Sequence, residues 1–381
     1  EAFMATAEAL TGAPISTGDE VELLINGDRI FPAFLETIEQ AERSINLLTY
    51  VYWRGDIARD VAGAVCERAR AGVEVNVIID AVGAAKIDRT LIDELEDAGA
   101  KVAWFRPPKW YTLHKLNNRT HRKILVVDGR VGFTGGVGIA EEWTGNTENA
   151  GHWRDTHVRV EGPAARDLFG GFLDNWVEAT QCILSGQDHL PDIDGFDDGV
   201  QVQVTRSTAE KGSTDAEHLF YAAIACARER IWLTTAYFAP RRAFVEALCD
   251  AVGRGVDVCV LTNGPHMDKE VVRQAGHLTY RRMLECGVRI FEYQRTMLHA
   301  KVMIVDANWA TVGSINFDNR SFALNDELNL SLRDRGITAG LEKHFLADLD
   351  DARELNLAAW RSRPLRMRAK ELASAAVRRE L

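Results

Sequence analysis

A short pattern of residues with acid–base and cationic side chains occurs twice in this sequence. The two copies read His121-Arg-Lys123-x4-Asp128 and His299-Ala-Lys301-x4-Asp306. They begin 178 residues apart, close to half of the 381-residue chain, and a glycine pair or near-pair follows each one, at Gly135-Gly136 and Gly313-Ser314. Two copies with matching tails make chance a poor explanation. The sequence therefore predicts a fused pair of similar domains, each giving one His and one Lys to a single site.

The chemistry that suits two His–Lys pairs around one site is the cleavage of a phosphodiester. One imidazole would attack phosphorus and form a covalent phospho-histidine, while the other protonates the leaving alkoxide and then deprotonates the incoming hydroxyl. The two lysines would neutralise the non-bridging oxygens, a role that a metal could otherwise play. The sequence has no His, Cys and Asp cluster with metal-ligand spacing, so we expect metal-free chemistry without a cofactor.

Each pattern runs into an apolar segment typical of a buried strand. Side chains alternate between the faces of a strand, so a His and a Lys two residues apart point the same way. Each imidazole also needs an acceptor that fixes its second nitrogen. Candidate acceptors follow each pattern: Asp155 lies 34 residues after His121, and Glu327 lies 28 residues after His299. The predicted catalytic set is His121, Lys123, Asp128, Asp155, His299, Lys301, Asp306 and Glu327.

The two halves of the chain share more than these patterns. The segment 41–50 matches 227–236, and a glycine then closes a helix-like stretch ahead of a β-branched run, at Gly72 and Gly255. Each half reads strand–helix–strand–helix–strand before its His pattern. This predicts an α/β fold of two similar domains, each a mixed, mostly parallel sheet flanked by helices, packed with pseudo-twofold symmetry. The predicted divisions are a first domain at 1–186, a polar linker at 187–199 and a second domain at 200–381.

Composition narrows the class of protein. The hydrophobic share of 46% and charged share of 27% are those of a globular protein, and the apolar stretches are of strand length, too short to span a bilayer. The net charge of −11 argues against a general nucleic-acid binder, because duplex binding relies on a cationic surface. The six cysteines show no metal-type pairing. We expect buried free thiols in a reducing compartment rather than a disulfide framework.

These residues resemble the phospholipase D superfamily, whose members carry the His-x-Lys-x4-Asp pattern, and within it the bacterial cardiolipin synthases. The resemblance covers nearly the whole chain and rests on the phrases at 121–136, 153–163 and 313–327. It implies transfer of a phosphatidyl group, in which two phosphatidylglycerols give cardiolipin and glycerol through a phospho-histidine. Hydrolysis by a phospholipase D, a nuclease or another phosphodiesterase of the superfamily is the alternative.

The resemblance also implies roles for individual residues. His121 would be the nucleophile and His299 the general acid and base, although the near-symmetry of the copies leaves the reverse assignment open. The residues implied in holding the phosphate are Lys123, Lys301, Asn316, Ser314 and Gly136. The family places an Asn three residues after the first glycine of the tail, and the first copy has Gly138 there instead. The first half is therefore expected to lack one phosphate ligand.

The expected partner is an anionic phospholipid, phosphatidylglycerol, met at a membrane surface by a two-domain monomer that binds no nucleic acid. We expect a cytoplasmic protein at the inner face of the cell membrane. Two segments suit that surface. Aromatic residues in 104–119 are interleaved with Arg106, Lys109, Lys115 and Arg119, and the stretch 361–381 has six Arg and one Lys against two Glu. An ordinary surface loop and a packed terminal helix are the respective alternatives.

Deleting residues 361–381 should lower binding to anionic vesicles, because the deletion removes a net five positive charges. Co-sedimentation with vesicles containing phosphatidylglycerol measures the effect, and zwitterionic vesicles are the control. Sedimentation equal to that of the full chain would contradict a role of this segment at the membrane.

Overall fold

The computed structural model describes residues 2–108, 117–208 and 212–364. Its first half contains twelve helices and strands in the described ranges. These are α1 (Ala2–Thr11), β1 (Ile15–Ile25), α2 (Gly27–Glu39), β2 (Ser44–Thr49), α3 (Asp56–Arg70), β3 (Glu74–Asp80), α4 (Arg89–Asp97), β4 (Lys101–Phe105), β5 (Ile124–Val127), β6 (Val131–Gly135), β7 (Thr156–Glu161) and α5 (Ala165–Thr180).

The second half repeats this succession and adds three short elements near its end. It contains β8 (Val200–Ser207), α6 (Asp215–Cys226), β9 (Arg230–Thr234), α7 (Arg242–Gly253), β10 (Asp257–Asn263), α8 (Glu270–Cys286), β11 (Arg289–Tyr293), β12 (Val302–Val305), β13 (Trp309–Gly313), α9 (Asn319–Ala323), β14 (Glu327–Arg333), α10 (Arg335–Asp350), β15 (Ala352–Glu354) and α11 (Leu357–Arg361).

Each half forms a seven-stranded sheet with the same strand order. The order is β4-β3-β2-β5-β6-β7-β1 in the first half and β11-β10-β9-β12-β13-β14-β8 in the second. β1 and β8 pair with each other and join the two sheets, and β15 extends the far edge beside β11. The predicted fold class, two similar α/β domains with mixed sheets and helices, is confirmed.

The prediction that each sheet is mostly parallel is wrong, because antiparallel strand pairs outnumber parallel ones in both halves. Among the described strands, the parallel pairs are β2–β3 and β3–β4 in the first half and β9–β10 and β10–β11 in the second. The other pairs are antiparallel. Parallel neighbours need a long crossover connection. The three-residue turns at 128–130 and 306–308 are too short for a crossover, so the strands after each His fold back as hairpins.

The hydrophobic core forms three layers around the two sheets. Helices α2, α3 and α4 cover the outer face of the first sheet, and α1, α6, α7, α8 and α11 cover the outer face of the second. The inner layer contains α5 and α10, with buried side chains such as Phe172 and Phe345, together with buried side chains of both sheets such as Val126 and Ile304. Because both halves share this inner layer, it fixes the two His patterns relative to each other.

The N-terminal residues cross to the second half. Met4 and Ala7 of α1 are buried in the second half's outer core, where α1 packs on α6. β1 follows the same path: residues 15–19 pair with β8, and residues 20–25 pair with β7. The predicted domain divisions at 186 and 200 remain a prediction. Although α1 belongs to the first domain by these divisions, it packs against the second half.

The segment predicted as the linker, 187–199, is anchored to the first half by His189. The imidazole of His189 stacks on the ring of Phe169, with the ring centroids 5.4 Å apart. Its Nδ1 lies 3.3 Å from Asn46 Nδ2, and its Nε2 lies 3.2 Å from Glu74 Oε2. His189 is thus a packing residue, as the sequence indicated.

The expectation that the cysteines are free thiols is wrong for two of the six. Cys249 of α7 and Cys286 of α8 form a disulfide, with their Cα atoms 5.5 Å apart. The pairing depends on how the two helices pack, which a separation of 37 residues along the chain does not reveal. The other four cysteines are free: Cys66 and Cys259 are buried, and Cys182 and Cys226 are exposed.

The two arginines predicted to face a membrane are engaged within the first half. Arg106 Nη2 donates to Glu178 Oε2 at 3.0 Å, and Arg119 forms an ion pair with Asp80 at 3.0 Å. Lys109, Lys115 and residues 365–381 lie outside the described residues. Across the described ranges, every helix is too short or too polar to cross a bilayer.

Asp128 and Asp306 hold the backbone in place, away from the two His residues. This corrects their inclusion in the catalytic set. Each follows its strand at the end away from the His, about 20 Å from it along an extended chain, and each has a φ of 53°. The carboxylate of Asp128 accepts hydrogen bonds from the backbone N–H groups of residues 42–44 at 2.7 to 3.0 Å. Asp306 accepts the N–H groups of 228–230 in the same way. Both residues hold the chain where it enters β2 and β9.

Replacing Asp128 with Ala should lower the free energy of unfolding by about 2–3 kcal/mol, because three backbone donors lose a charged acceptor. Denaturant unfolding measures the loss, and Asp197→Ala, at an exposed position, is a control expected to change it by less than about 0.5 kcal/mol. The kcat of the folded Asp128→Ala protein should stay near that of the unmodified chain. A large fall in kcat with unchanged stability would contradict this assignment.

Candidate active site

Each His lies just before a central strand of its sheet, and its Lys lies two residues later, directly before the first residue of that strand. His121 precedes β5, and Lys123 Nζ donates to the backbone carbonyl oxygen of His121 at 2.6 Å. His299 precedes β12, and Lys301 Nζ donates to the carbonyl oxygen of His299 and lies 2.9 Å from its Nδ1. The predicted proximity of His and Lys is therefore present in both halves.

The backbone of each His docks on the opposite half of the molecule. The N–H of His121 donates to the carbonyl of Asp326 at 2.8 Å, and the N–H of Asp326 donates to the carbonyl of Arg119 at 2.9 Å. In the second half, the N–H of His299 donates to the carbonyl of Arg154 at 2.7 Å. These short parallel bridges join the residue before each carboxylate to the residue before each His.

The carboxylates predicted as acceptors are the acceptors, but they are exchanged between the halves. His121 Nδ1 lies 3.0 Å from Glu327 Oε2, although Glu327 follows the second His pattern. His299 Nδ1 lies 2.8 Å from Asp155 Oδ2, although Asp155 follows the first. The sequence placed each acceptor after a His of its own half. The exchange follows from the backbone bridges, which set each carboxylate strand beside the opposite imidazole.

Neighbouring groups orient the two carboxylates. Trp143 Nε1 donates to Asp155 Oδ2 at 2.9 Å, and Asn325 Nδ2 donates to Glu327 Oε1 at 3.2 Å. Gly136 has the role of leaving space, because a Cβ at this position would lie 2.2 Å from Asp155 Oδ1. Its implied role in binding the phosphate stays a prediction. A neutral imidazole that donates Nδ1–H to such a carboxylate presents the lone pair of Nε2 to a substrate.

The two imidazoles are buried and therefore neutral in the unbound protein. His121 and His299 are 9% and 5% exposed. Burial, with the charges of Lys123 and Lys301 adding to it, holds the pKa of His121 well below its usual range. Burial and the charge of Lys301 lower the pKa of His299 to about 3, against the opposing effect of Asp155. Both rings can act as bases or nucleophiles near neutral pH.

The two carboxylates differ in charge behaviour. Burial would raise the pKa of Asp155, but the hydrogen bond from His299 and the charge of Lys301 hold it below its usual range. Burial raises the pKa of Glu327 to about 7, and the charge of Lys123 opposes this only in part. Asp155 is therefore ionised at neutral pH, whereas Glu327 changes its charge near pH 7.

The two lysines are also shifted toward neutrality. Burial lowers the pKa of Lys123 to about 7, with Glu327 opposing, and lowers the pKa of Lys301 to about 8, with Asp155 opposing. An anionic phosphate placed between them would favour their charged forms. The site is thus suited to a negatively charged group.

A cavity of about 130 Å³ opens beside His121. Asn316, implied by the family resemblance as a phosphate ligand, lines it, and its Oδ1 accepts the backbone N–H of Tyr237 at 3.2 Å. Ser314 is buried behind it: its Oγ binds the backbone of Leu328, and its backbone is hydrogen-bonded to His121. Asn316 is therefore placed to meet a ligand, and Ser314 to support the imidazole.

Several residues at this cavity were not in the predicted site. They are Tyr50, Arg119, Tyr237, Lys269, Val272, Asp318, Arg320, Ser321 and Asn325. Tyr50 and Tyr237 follow β2 and β9, the matching strands of the two halves. Lys269 follows β10, and the sequence signal for it was its place beyond the carboxyl end of a parallel strand, where ligands bind. Arg320 was assigned a structural role; it lines the cavity and also donates to Asn117 Oδ1 at 2.6 Å.

His157 has a structural role. Its Nδ1 lies 3.4 Å from the backbone nitrogen of Val137, and its ring packs against Phe34 with the centroids 5.4 Å apart. Across the described ranges, no three His, Cys, Asp or Glu side chains are arranged to hold a metal ion.

Paired His–Lys sets on two repeated α/β halves, with each imidazole held by a carboxylate of the other half, define a phospholipase D-like protein. The family model described as "Cardiolipin synthase, PLD-like domain" matches residues 34–160 and 220–349. The chain belongs to this family, which confirms the resemblance drawn from the sequence.

Curated relatives match almost the full length of the chain. A cardiolipin synthase of Geobacillus sp. (strain WCH70) is 35% identical over 364 residues, covering 95% of this chain and 72% of the relative. Cardiolipin synthase 2 of Bacillus anthracis is 34% identical over 374 residues, covering 97% and 72%. Among solved structures, a phosphatidylserine synthase of Haemophilus influenzae Rd KW20 has the same fold over 100% of both chains, with a TM-score of 0.76 and 13% identity.

The pH dependence of kcat/KM should reveal the charge state of Glu327. As the pH falls through about 7, Glu327 takes up a proton and His121 loses its anionic acceptor, so activity should fall. Glu327→Gln should lower the plateau by about 10²-fold or more and remove this acid limb. The matched variant is Asp155→Asn, which should lower the plateau but keep the limb, because Asp155 stays ionised. A limb that persists in Glu327→Gln would show that another group is responsible.

Proposed function

We propose that this chain transfers a phosphatidyl group from one phosphatidylglycerol to a second, with release of glycerol. The predicted class, a cardiolipin synthase-type transferase of the phospholipase D superfamily, is confirmed by the relatives that cover most of the chain. The observation that carries the proposed mechanism is that each imidazole is held by a carboxylate of the other half and is affected by the charge of the other half's lysine. His121 also lines the cavity described above.

In the first step, Nε2 of His121 attacks the phosphorus of the first phosphatidylglycerol. The bond from phosphorus to the headgroup oxygen breaks, and His299 gives its Nε2 proton to that oxygen, so glycerol leaves. His299 enters this step as the imidazolium, a form that Asp155 and the bound phosphodiester anion both favour. The phosphatidyl group is then bonded to His121.

In the second step, the terminal hydroxyl of another phosphatidylglycerol gives its proton to His299. Its oxygen attacks phosphorus, the bond to Nε2 of His121 breaks, and cardiolipin is formed. Both imidazoles return to their starting forms. The assignment of His121 as nucleophile follows the family resemblance. The geometry is equally compatible with the two imidazoles exchanging their roles.

We propose that Lys123, Lys301 and Asn316 hold the non-bridging oxygens throughout these steps. Each lysine lies two residues after its imidazole, directly before β5 or β12, and Asn316 lines the cavity next to His121. Because the lysines are buried, their charges act in a medium of low polarity, where they stabilise added negative charge strongly.

We also propose that the chain acts as a monomer at the inner face of the cytoplasmic membrane, where its substrate lies. The phospholipid substrate is supported by the two relatives described above, which are cardiolipin synthases. The monomeric state is supported by the presence of both His–Lys sets in a single chain.

Incubation with phosphatidylglycerol vesicles, followed by mass spectrometry of the lipids, tests the proposed function. We expect cardiolipin and glycerol; phosphatidic acid as the sole product would indicate a hydrolase instead. His121→Ala and His299→Ala should each lower turnover by about 10³-fold or more, because each removes a group that acts in both steps.

The matched control is His218→Ala, since His218 lies exposed on α6, outside the cleft. This variant should keep the turnover of the unmodified chain. Near-normal turnover in His121→Ala or in His299→Ala would be incompatible with the two-imidazole mechanism.

A further inference from the structure

A carboxylate lines the cavity in which the phosphate is proposed to bind. Asp318 is 2% exposed, and its side chain reaches the cavity wall beside Asn316. Burial raises its pKa to about 7. A carboxylate repels a phosphate, so charge attraction to that group does not explain its position. Its oxygens are instead suited to accept hydrogen bonds from a ligand that carries O–H groups.

A second acceptor in the same cavity has no partner. Asn325 is 7% exposed, and its Nδ2 donates to Glu327 Oε1 at 3.2 Å. Its Oδ1 is buried and accepts no hydrogen bond among the described residues. An unsatisfied buried oxygen costs about 1–3 kcal/mol, which a donor on a bound ligand would recover. Asp318 and Asn325 thus form a pair of acceptors on one cavity wall.

These acceptors occur on one side of the pseudo-twofold axis. In the register that aligns Gly136 with Ser314, the counterpart of Asp318 is Ala140. In the register that aligns Asp155 with Glu327, the counterpart of Asn325 is Trp153. The first half therefore has a methyl group and an indole where the second half has two oxygens. The difference indicates that one particular ligand group is recognised on the second-half side.

We propose that Asp318 and Asn325 form a subsite for the free hydroxyls of a polyol headgroup, such as the glycerol of phosphatidylglycerol. The inference rests on the proposed function and specifies its substrate class. Ammonium headgroups also donate hydrogen bonds, but Lys269 and Arg320 line the same cavity and repel a cation. A neutral polyol satisfies both acceptors without that repulsion. A site built to bind hydroxyls rejects an analogue that lacks them, because its buried acceptors are then left unpaired.

Asp318 also caps α9, since its Oδ1 accepts the N–H of Ser321 at 2.8 Å. The variant Asp318→Asn separates the two roles. Asn caps helices as well as Asp does, but its single side-chain oxygen is then engaged by Ser321. The amide NH₂ takes the place of the other oxygen and cannot accept a hydrogen bond from a hydroxyl group. Asp318→Ser, which also keeps a cap, is the second variant in case the first folds poorly.

The experiment compares release of the headgroup alcohol from phosphatidylglycerol and from phosphatidyl-1-propanol in matched vesicles. The two lipids differ by the two free hydroxyls. Asp318→Asn should lower kcat/KM for phosphatidylglycerol about ten-fold, the effect of losing one hydrogen bond to a charged group. The value for phosphatidyl-1-propanol should change less than about two-fold. Asp334→Asn is the matched control, because Asp334 caps α10 in the same way, and it should leave the ratio unchanged.

Equal losses on both lipids, or no change on either, would overturn the subsite. Faster release of ethanolamine than of glycerol by the unmodified chain would overturn it as well, since the subsite would then favour an ammonium group. The lipid product is read in the same samples. Phosphatidic acid in place of cardiolipin would defeat the proposed transferase function while leaving the ratio of the two release rates as a separate measure of the subsite.

Discussion

The exchange of carboxylates between the halves is the constraint on which the site depends. Each imidazole takes its orientation from the half to which it does not belong, so neither half contains a complete catalytic unit. Arg122, which lies between His121 and Lys123 and is fully buried, reinforces this exchange. Its guanidinium donates to the carbonyl of Glu327 at 3.2 Å and to the carbonyl of Ser207 at 2.9 Å, both in the second half. The shared inner core then keeps the two halves from separating.

The same exchange concentrates ionisable groups in the buried interior, where charges are energetically costly. Two carboxylates and two lysines are buried together, and burial moves most of them toward neutrality, as the lowered pKa of Lys123 and the raised pKa of Glu327 show. Charges in such a medium are stabilised chiefly by each other and by hydrogen bonds. A phosphodiester anion supplies the missing negative charge between the lysines. The electrostatic cost of burying these groups would therefore become a source of affinity for the transferred group.

Sequence reasoning succeeded where the relevant physics is local. The alternation of a strand places His121 and Lys123 on one side, and helix-stop glycines such as Gly72 mark the ends of helices, so the repeated fold could be predicted. The partners of the imidazoles could not be assigned, because Asp155 reaches His299 only through the docking of two halves. Nor could the pattern itself show that Asp128 caps a loop, since a carboxylate at a fixed spacing is equally consistent with chemistry. The sequence identified the residue types, and the packing determined their roles.

The two halves are not equivalent, and the difference has a structural cause. Gly138 stands where the family has Asn, and a Cβ at this position would lie 2.7 Å from Cβ of Val51 and 3.2 Å from Cζ3 of Trp143. Val51 and the indole thus occupy the space that a side chain at 138 would need. The indole Nε1 also donates to Asp155, and its ring packs 5.1 Å from that of His299. In the second half, Asn316 and a small Ser321 leave the corresponding space open as a cavity. A duplicated site has therefore become one with a filled side beside His299 and an open side beside His121.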